Sequence, residues 1–205
     1  MTGQKTGTAQ LSARSMAITA LVTAILCIVS PFSIPIGPVP MTLGVLVVLL
    51  AVFILGRRRG TMAVALYLLI GLAGLPVFSG FSGGAGKLFG PTGGYLIGYL
   101  PMVWIAGRFI EKSTEYKEKK KTALSIQILG MALGLAVLYL LGTTWFTLLM
   151  NRRMVAGSAA ERMTFLRAVQ VCVLPFVPVD LIKIVLAAML GNLLRSRLRA
   201  ADLLI

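Results

Sequence analysis

Long runs of apolar residues alternate along the chain with short polar, proline-rich or glycine-rich stretches. Within each run the apolar positions are continuous, and several runs approach or exceed the ~20 residues that a helix needs to cross a bilayer. Strands of a membrane barrel would alternate apolar and polar positions instead. The pattern therefore predicts an all-α, polytopic membrane protein with six transmembrane helices, at about Ala13–Val29, Met41–Leu55, Thr61–Leu75, Thr92–Phe109, Ala123–Met150 and Phe165–Leu194.

Two of the stretches between these helices are irregular and almost free of charge. Pro31–Pro40 carries four prolines, a density that no helix tolerates, so we expect a stiff extended linker there. Val77–Pro91 contains five glycines, which predicts a loop with the backbone freedom of turns. Irregular backbone cannot face lipid. We therefore expect both segments at the membrane interface or over a cavity. The distribution of charge, given next, assigns both to the outer face, where they would cover a binding pocket.

The positions of the charged residues along the chain are more informative about function and orientation than their number. The 20 Lys and Arg residues against 6 Asp and Glu give a formal net charge of +14, a balance also seen in nucleic-acid-binding proteins. Here the basic residues cluster between apolar runs, as they do beside membrane helices, and no basic stripe is mixed with aromatics, so no nucleic acid is expected. Most basic residues fall on the side of the termini, and the other side holds Lys87, Arg152, Arg153, Arg162 and Arg167. The positive-inside rule then predicts that both termini are cytoplasmic.

This orientation divides the chain into three parts. Residues 1–12 are expected to form a disordered cytoplasmic tail, residues 13–194 the membrane domain, and residues 195–205 a basic cytoplasmic tail. The sequence has no His, and its two cysteines, Cys27 and Cys172, stand in separate apolar runs. Neither a metal site nor a cofactor is therefore expected.

The last apolar run contains the strongest candidate for a functional site. Asp180 and Lys183 stand near its middle, and a charged side chain at bilayer depth costs about 2.5–3.5 kcal/mol even on lenient insertion scales. Such residues face the protein interior or a cavity, and at three positions apart these two share one helix face. The pair would offer an acceptor and a donor to a small polar ligand. The alternative is a structural ion pair in which the two charges only neutralise each other.

A stripe of small residues follows one face of the first predicted helix. Ala13, Ala17, Ala20 and Ala24 are spaced three and four apart, a spacing that permits close contact between helices. The stripe predicts either ordinary packing inside this protein or a docking surface for another subunit. Periodicity alone does not decide between the two.

Four sequence segments together resemble one family. They are PIGPVPMTL (Pro35–Leu43), GLAGLPVF (Gly71–Phe78), GPTGGYLIGY (Gly90–Tyr99) and PFVPVDLIKIVLA (Pro175–Ala187). In this combination, over about Ala13 to Gly191, the chain resembles BioY, the biotin-specific substrate-binding (S) component of energy-coupling factor (ECF) transporters. The resemblance implies a six-helix S-component fold in the cell membrane of a prokaryote, with biotin captured from the outer face. It also implies two kinds of partner, a transmembrane coupling (T) component and a pair of cytoplasmic ATPases.

The resemblance further implies roles for individual residues. Asp180 and Lys183 would be the polar biotin contacts, and aromatic side chains would bury the apolar part of the ligand. The remaining substrate-binding residues would be Phe78, Gly80, Phe81, Gly93 and Tyr95. The alanine stripe would match the family's docking face for the T component.

Three other functions stay open at this point. The chain could be an S component for another vitamin, or a solitary biotin transporter that needs no ATPase. The third is an intramembrane enzyme that uses Asp180 as a general acid or base. It has little support, because the sequence offers no His and no second carboxylate within a predicted span. The protein is therefore expected not to be an enzyme.

Overall fold

The computed structural model describes residues 13–116, 118–153 and 162–201. The tail expected at residues 1–12 lies outside this part of the chain, as do Lys117, residues 154–161 and residues 202–205. In chain order the elements are α1 (Ala13–Val29), β1 (Ser33–Ile36), β2 (Val39–Thr42), α2 (Gly44–Leu72), α3 (Ala85–Leu88), α4 (Gly93–Ser113), α5 (Lys120–Arg153), α6 (Phe165–Cys172) and α7 (Val177–Ala200). A 3₁₀ turn at Thr114–Tyr116 follows α4. Helix α1 matches the first predicted helix at both ends.

The proline-rich segment is extended, as predicted, but it is paired with itself rather than forming a linker. Strands β1 and β2 make an antiparallel hairpin in which Pro35 lies opposite Pro40 and Ile36 opposite Val39. The chain turns at Gly37, whose φ of 71° lies in the left-handed region that glycine favours. Proline has no N–H to donate, so Pro35 and Pro40 cannot exchange backbone hydrogen bonds. Because they lie opposite each other, the hydrogen bonds between the strands are made by the neighbouring residue pairs.

Helix α2 changes direction abruptly at one residue, Gly56. Gly56 has φ 71° and ψ −178°, a combination open essentially to glycine alone. A Cβ on Gly60 would lie 3.5 Å from the Cα of Val52, although eight residues of unbroken helix span about 12 Å. The two halves of α2 therefore fold back on each other, as two spans would. Arg57–Arg59, which directly follow Gly56, are helical, so Gly56 alone makes the reversal.

Helices α4 and α5 approach each other closely through glycines. A Cβ on Gly94 would lie 2.3 Å from the Cβ of Trp145, and one on Gly142 would lie 2.3 Å from the Tyr95 ring. Real side chains do not come this close, so both positions need glycine for the helices to pack. Gly94 and Gly98, four positions apart on α4, thus both face α5. Helix α4 begins after Thr92 as predicted, although the Thr92 side chain makes no capping hydrogen bond.

The last predicted helix is broken into α6 and α7 by the segment Val173–Phe176. Pro178 stands at the start of α7, where a missing N–H costs no hydrogen bond. The interruption lies just before Asp180, within the single helix predicted at Phe165–Leu194. Helix α7 continues to Ala200, so the basic segment expected to begin a tail at Arg195 is helical through its first six positions.

The described helices present long apolar side chains outward, as a bundle surrounded by lipid does. Among the described helices, Lys120–Arg152 and Val177–Ala200 are long and apolar enough to cross a membrane, and Ala13–Val29 is a shorter apolar helix. The six predicted spans correspond to α1, the two halves of α2, α4, α5, and α6 together with α7. The number of spans stays a prediction.

Candidate ligand-binding site

A cleft opens at one end of the bundle, beside the β-hairpin and the glycine-rich segment. Nearly every long element contributes to its wall, so the cleft forms only when sequence-distant parts of the chain come together. Its lining residues are Ser30, Val39, Pro40, Met41, Thr42, Val45, Tyr67, Ser79, Thr92, Tyr95, Leu96, Tyr99, Leu138, Tyr139, Cys172, Phe176, Asp180 and Lys183. Most are apolar or aromatic, with a few polar groups at defined points, which is the usual composition of a small-molecule site.

The polar centre of this cleft is the pair Asp180 and Lys183, exposed by only 4% and 5%. Lys183 Nζ donates to Asp180 Oδ1 at 2.6 Å and to the main-chain carbonyl of Thr42 at 2.8 Å. The Tyr139 hydroxyl donates to Asp180 Oδ2 at 2.6 Å. Each oxygen of the carboxylate thus accepts one hydrogen bond from the protein. Charges this deeply buried need such partners, because unpaired they would be costly to remove from water.

This cluster retains capacity for a ligand. An ammonium group has three protons, and Lys183 uses two of them within the described chain, so one N–H stays available there. Each carboxylate oxygen can accept a second hydrogen bond, which leaves Asp180 able to receive two donors. The site can therefore present one cationic donor and two anionic acceptors within a single helical turn.

Local structure explains why the carboxylate sits at this point. Asp180 lies in the first turn of α7, where the unpaired N–H groups of the helix favour a negative charge. The break before α7 brings this turn beneath the hairpin, within reach of β2. Lys183 follows one turn later on the same face and bonds to Thr42, so the helix and the hairpin are held together at the cleft.

Tyrosines form much of the remaining wall. The hydroxyls of Tyr95 and Thr143 are 2.9 Å apart and hydrogen-bonded, which fixes the Tyr95 ring against α5. Tyr67, Tyr99 and Tyr139 line the same cleft. A Cβ on Gly44 would lie 3.1 Å from the hydroxyls of Ser30 and Thr42 and 3.2 Å from that of Tyr99. Three hydroxyl groups therefore converge beside Gly44.

Among the site residues expected from the sequence, Asp180, Lys183 and Tyr95 line the cleft together. Phe78 does not, because it is fully buried behind the wall. Its ring packs edge to face on Tyr67 at 5.5 Å and occupies the space that Gly71 leaves by lacking a side chain. Phe78 thus supports a lining residue instead of contacting the cleft.

The other expected residues also stand outside the lining. Gly80 donates its N–H to the carbonyl of Pro31 at 2.9 Å, and Phe81 is exposed, with its ring 5.3 Å from that of Phe32. These contacts join the glycine-rich segment to the end of α1 over the cleft. A Cβ on Gly93 would overlap the carbonyl oxygen of Leu88, so Gly93 is required for the tight entry into α4.

Sequence reasoning missed Tyr139 and Thr42, both of which bond to the charged pair. Tyr139 carries a hydroxyl in the otherwise apolar middle of α5, and a buried tyrosine hydroxyl usually has a partner. Applied to the sequence, that rule could have predicted a hydrogen bond between the Tyr139 hydroxyl and Asp180. Thr42 acts through its main-chain carbonyl. Every residue has this group, so the residue type at position 42 could not predict the contact.

The alanine stripe of α1 lies on the outer surface of the described bundle. Ala13, Ala17, Ala20 and Ala24 are all exposed, whereas the opposite face buries Ser15, Thr19, Val22, Thr23 and Leu26. Thr23 reaches across to the carbonyl of Ala63 at 3.3 Å, which fixes the inward face against α2. Internal packing therefore leaves the stripe uncovered.

Comparison with known proteins places this fold and cleft in context. The model of the BioY family matches residues 3–200. The biotin transporter BioY of Thermotoga maritima is 37% identical over 174 residues, 85% of this chain and 91% of that protein. The probable biotin transporter BioY of Pyrococcus horikoshii is 32% identical and covers 91% of this chain and 99% of its own length. A crystal structure of the S-component for biotin from an ECF-type ABC transporter superposes with a TM-score of 0.76 at 29% identity, covering 92% of this chain and 94% of that one.

Proposed function

The chain belongs to the BioY family, and on that premise we propose that it is the biotin-binding membrane subunit, or S component, of an ECF-type vitamin uptake transporter. The predicted S-component fold is confirmed by the likeness to the solved S component for biotin. The relatives are transporters, so the protein is a transport subunit and not an enzyme. The single observation that carries the proposal for the site is the buried Asp180, held between Lys183 and Tyr139 in the cleft wall.

The chemistry of biotin matches this cleft. Its ureido ring has two N–H donors and one carbonyl, its bicycle and tail are apolar, and it ends in a carboxylate. Asp180 has acceptor capacity for the two ureido N–H groups, and Lys183 has a donor for the ureido carbonyl or for the carboxylate. Tyr95 and its neighbouring tyrosines would enclose the apolar bicycle.

We propose further that the protein delivers biotin together with a T component and a pair of cytoplasmic ATPases. The chain itself has no Walker A sequence, so ATP would be hydrolysed by other subunits. The exposed alanine stripe of α1 supports a docking surface, because small residues let a partner helix approach closely.

The protein is a membrane protein, and we propose that both termini are cytoplasmic. The cleft and the end of the bundle that bears Gly56, Ser113 and Lys120 lie at opposite ends of the long helices. Arg57–Arg59, Lys119–Lys121 and the arginines of α7 all belong to that second end. The positive-inside rule places such an end in the cytoplasm, so the cleft would open to the outside.

Calorimetric titration of the purified full-length protein with biotin tests the proposal. We expect saturable one-site binding without any other subunit. Saturable heat with another vitamin and none with biotin would identify an S component of different specificity. Uptake of labelled biotin into cells that lack every T component and ATPase would instead favour a solitary transporter.

A further inference from the structure

A second cleft lies at the end of the bundle opposite the biotin cleft. It is formed where the end of α4, the beginning of α5 and the last turns of α7 meet. Its floor is a two-way amide pair, in which Asn192 Nδ2 donates to Gln127 Oε1 at 2.8 Å and Gln127 Nε2 donates to Asn192 Oδ1 at 3.2 Å. Gln127 also donates to Ser113 Oγ at 3.0 Å. These polar groups satisfy one another, so the floor holds the helices together.

The rim of this cleft is basic. Lys120, Arg195 and Arg199 line it, and none of its described lining residues is acidic. Arg195 Nε is buried and makes no hydrogen bond within the described chain. Among the described residues, Glu111 is a carboxylate whose charge acts on Arg195, and it already pairs with Arg57 at 3.5 Å. A buried cationic N–H without an acceptor is costly, so this rim is suited to an anion.

The outer wall of the same cleft is apolar and open to the bilayer. Leu124, Met189 and Leu193 line it, and all three side chains are exposed. A soluble anion would make no use of this wall. A phospholipid would use both parts, because its phosphate needs cations at the membrane surface and its acyl chains need an apolar groove.

We propose that this cleft binds an anionic phospholipid, with the phosphate at Arg195 and Arg199 and an acyl chain along Leu124, Met189 and Leu193. The lipid would come from the leaflet that faces the basic end of the bundle. It would bridge α5 and α7, the helices that carry Tyr139 and Asp180 at the other end. The site is separate from the biotin cleft and does not depend on which ligand that cleft takes.

The test measures phosphatidylglycerol binding to the delipidated full-length protein in a neutral detergent, by native mass spectrometry. Phosphatidylcholine with the same acyl chains controls for acyl-chain binding alone. The test variant is Arg195→Gln/Arg199→Gln, and the matched control is Arg58→Gln/Arg197→Gln, which removes the same charge at the same end from residues outside the cleft lining. We expect phosphatidylglycerol affinity to fall by roughly thirtyfold in the test variant, about a factor of five for each arginine. The control should bind as the wild type does.

A second variant keeps the charges and fills the groove. Ser196 is exposed and lines the cleft, so Ser196→Phe should also weaken phosphatidylglycerol binding while the protein stays folded and monodisperse. The proposal is overturned if phosphatidylcholine binds as tightly as phosphatidylglycerol, or if the test and control variants lose equal affinity. Competition by inorganic phosphate at millimolar concentration would indicate a soluble-anion site instead. Loss of T-component binding in the test variant, with lipid affinity unchanged, would assign the rim to a protein partner.

Discussion

Asp180 and Lys183 join three elements at the residue scale, through the bonds of α7 to β2 and α5. If this pair binds biotin, Asp180→Asn exposes an amide donor to the ureido N–H groups. We expect biotin affinity to fall by roughly tenfold to a hundredfold, since charge-assisted hydrogen bonds contribute about 1.5–3 kcal/mol each. Lys183→Met should also weaken binding. Calorimetric affinity and melting temperature are measured on both variants.

The double variant separates ligand binding from a purely structural ion pair. A structural pair predicts that each single change lowers the melting temperature strongly, because one buried charge loses its partner. It also predicts that Asp180→Asn with Lys183→Met restores both stability and affinity. Full affinity in the double variant would exclude a ligand-binding role for this pair.

Tyr139 offers a finer test of the same site. Tyr139→Phe removes only the hydroxyl that donates to Asp180 Oδ2 and keeps the ring in the cleft wall. We expect biotin affinity to fall by roughly tenfold, because the carboxylate loses one charge-assisted bond that orients it. Tyr116→Phe is the matched control, since Tyr116 lies beyond α4 at the opposite end of the bundle. Equal affinities for the two variants would show that Tyr139 does not orient Asp180.

At the scale of elements, the backbone reversal at Gly56 within α2 is tightly constrained. Gly56 adopts a conformation open essentially to glycine, and the N–H of the next residue, Arg57, donates to Glu111 Oε1 at 3.0 Å. The guanidinium of Arg57 lies 4.4 Å from the centre of the Trp104 ring. One glycine and one carboxylate from α4 therefore hold two antiparallel helices at a single-residue turn.

Gly56→Ala should destabilise the protein without changing the geometry of the biotin cleft. The strained backbone costs on the order of 1–3 kcal/mol, which we expect to appear as a lower melting temperature in detergent. Gly86→Ala is the control, because a Cβ at Gly86 meets nothing within 4 Å and its φ is not in the left-handed region. Biotin affinity of the folded Gly56→Ala protein should equal that of the wild type. Equal melting temperatures for the two variants would show that the reversal does not require glycine at position 56.

The exposed face of α1 leads to a prediction about assembly. Ala17→Trp or Ala20→Trp should abolish co-purification with the T component while leaving biotin affinity intact, because a large side chain prevents close helix contact. Ile25→Trp is the control, since Ile25 is also exposed but points about 100° away from the stripe around the helix. If the complex survives both alanine changes, the docking face lies elsewhere.

At the scale of the whole molecule, the two ends of the helix bundle differ in charge. The basic end is therefore expected in the cytoplasm and the end that bears the cleft outside the cell. In a chain whose native Cys27 and Cys172 are replaced by alanine, a cysteine at Ala85 should react with an impermeant maleimide in intact cells. A cysteine at Thr122 should react only after lysis. Both positions are exposed at the surface of the fold. The reverse labelling pattern would invert the proposed orientation.

The sequence predicted the helices better than the segments between them, for a physical reason. Continuous apolar runs determine where helices form in a bilayer, so α1 and the break at Gly56 could be located from residue types. Strand pairing in the proline-rich segment depends on contacts within the ten-residue hairpin Ser33–Thr42, and prolines usually discourage such pairing. The sequence therefore identified the extended backbone of this segment but not its partner.

The same contrast holds within the site. Asp180 and Lys183 were predictable because charge is rare and costly in a span. Phe78 was expected to face the ligand, yet the space beside Gly71 draws its ring behind the wall. Thr42 contributes a main-chain carbonyl, which every residue has. Tertiary packing decides these positions, and neither composition nor spacing encodes it locally.

The spacing of Asp180 and Lys183 also bears on how the chain is made. Lys183 bonds to Thr42, which lies 141 positions earlier, so this contact forms only after the last helix has entered the membrane. Before that moment the two charges have only each other, one helical turn apart at 2.6 Å. A helix that carries its own counter-ion can partition into lipid as a neutral unit. The pair that we propose to bind the ligand would therefore first ease insertion of the final span during biosynthesis.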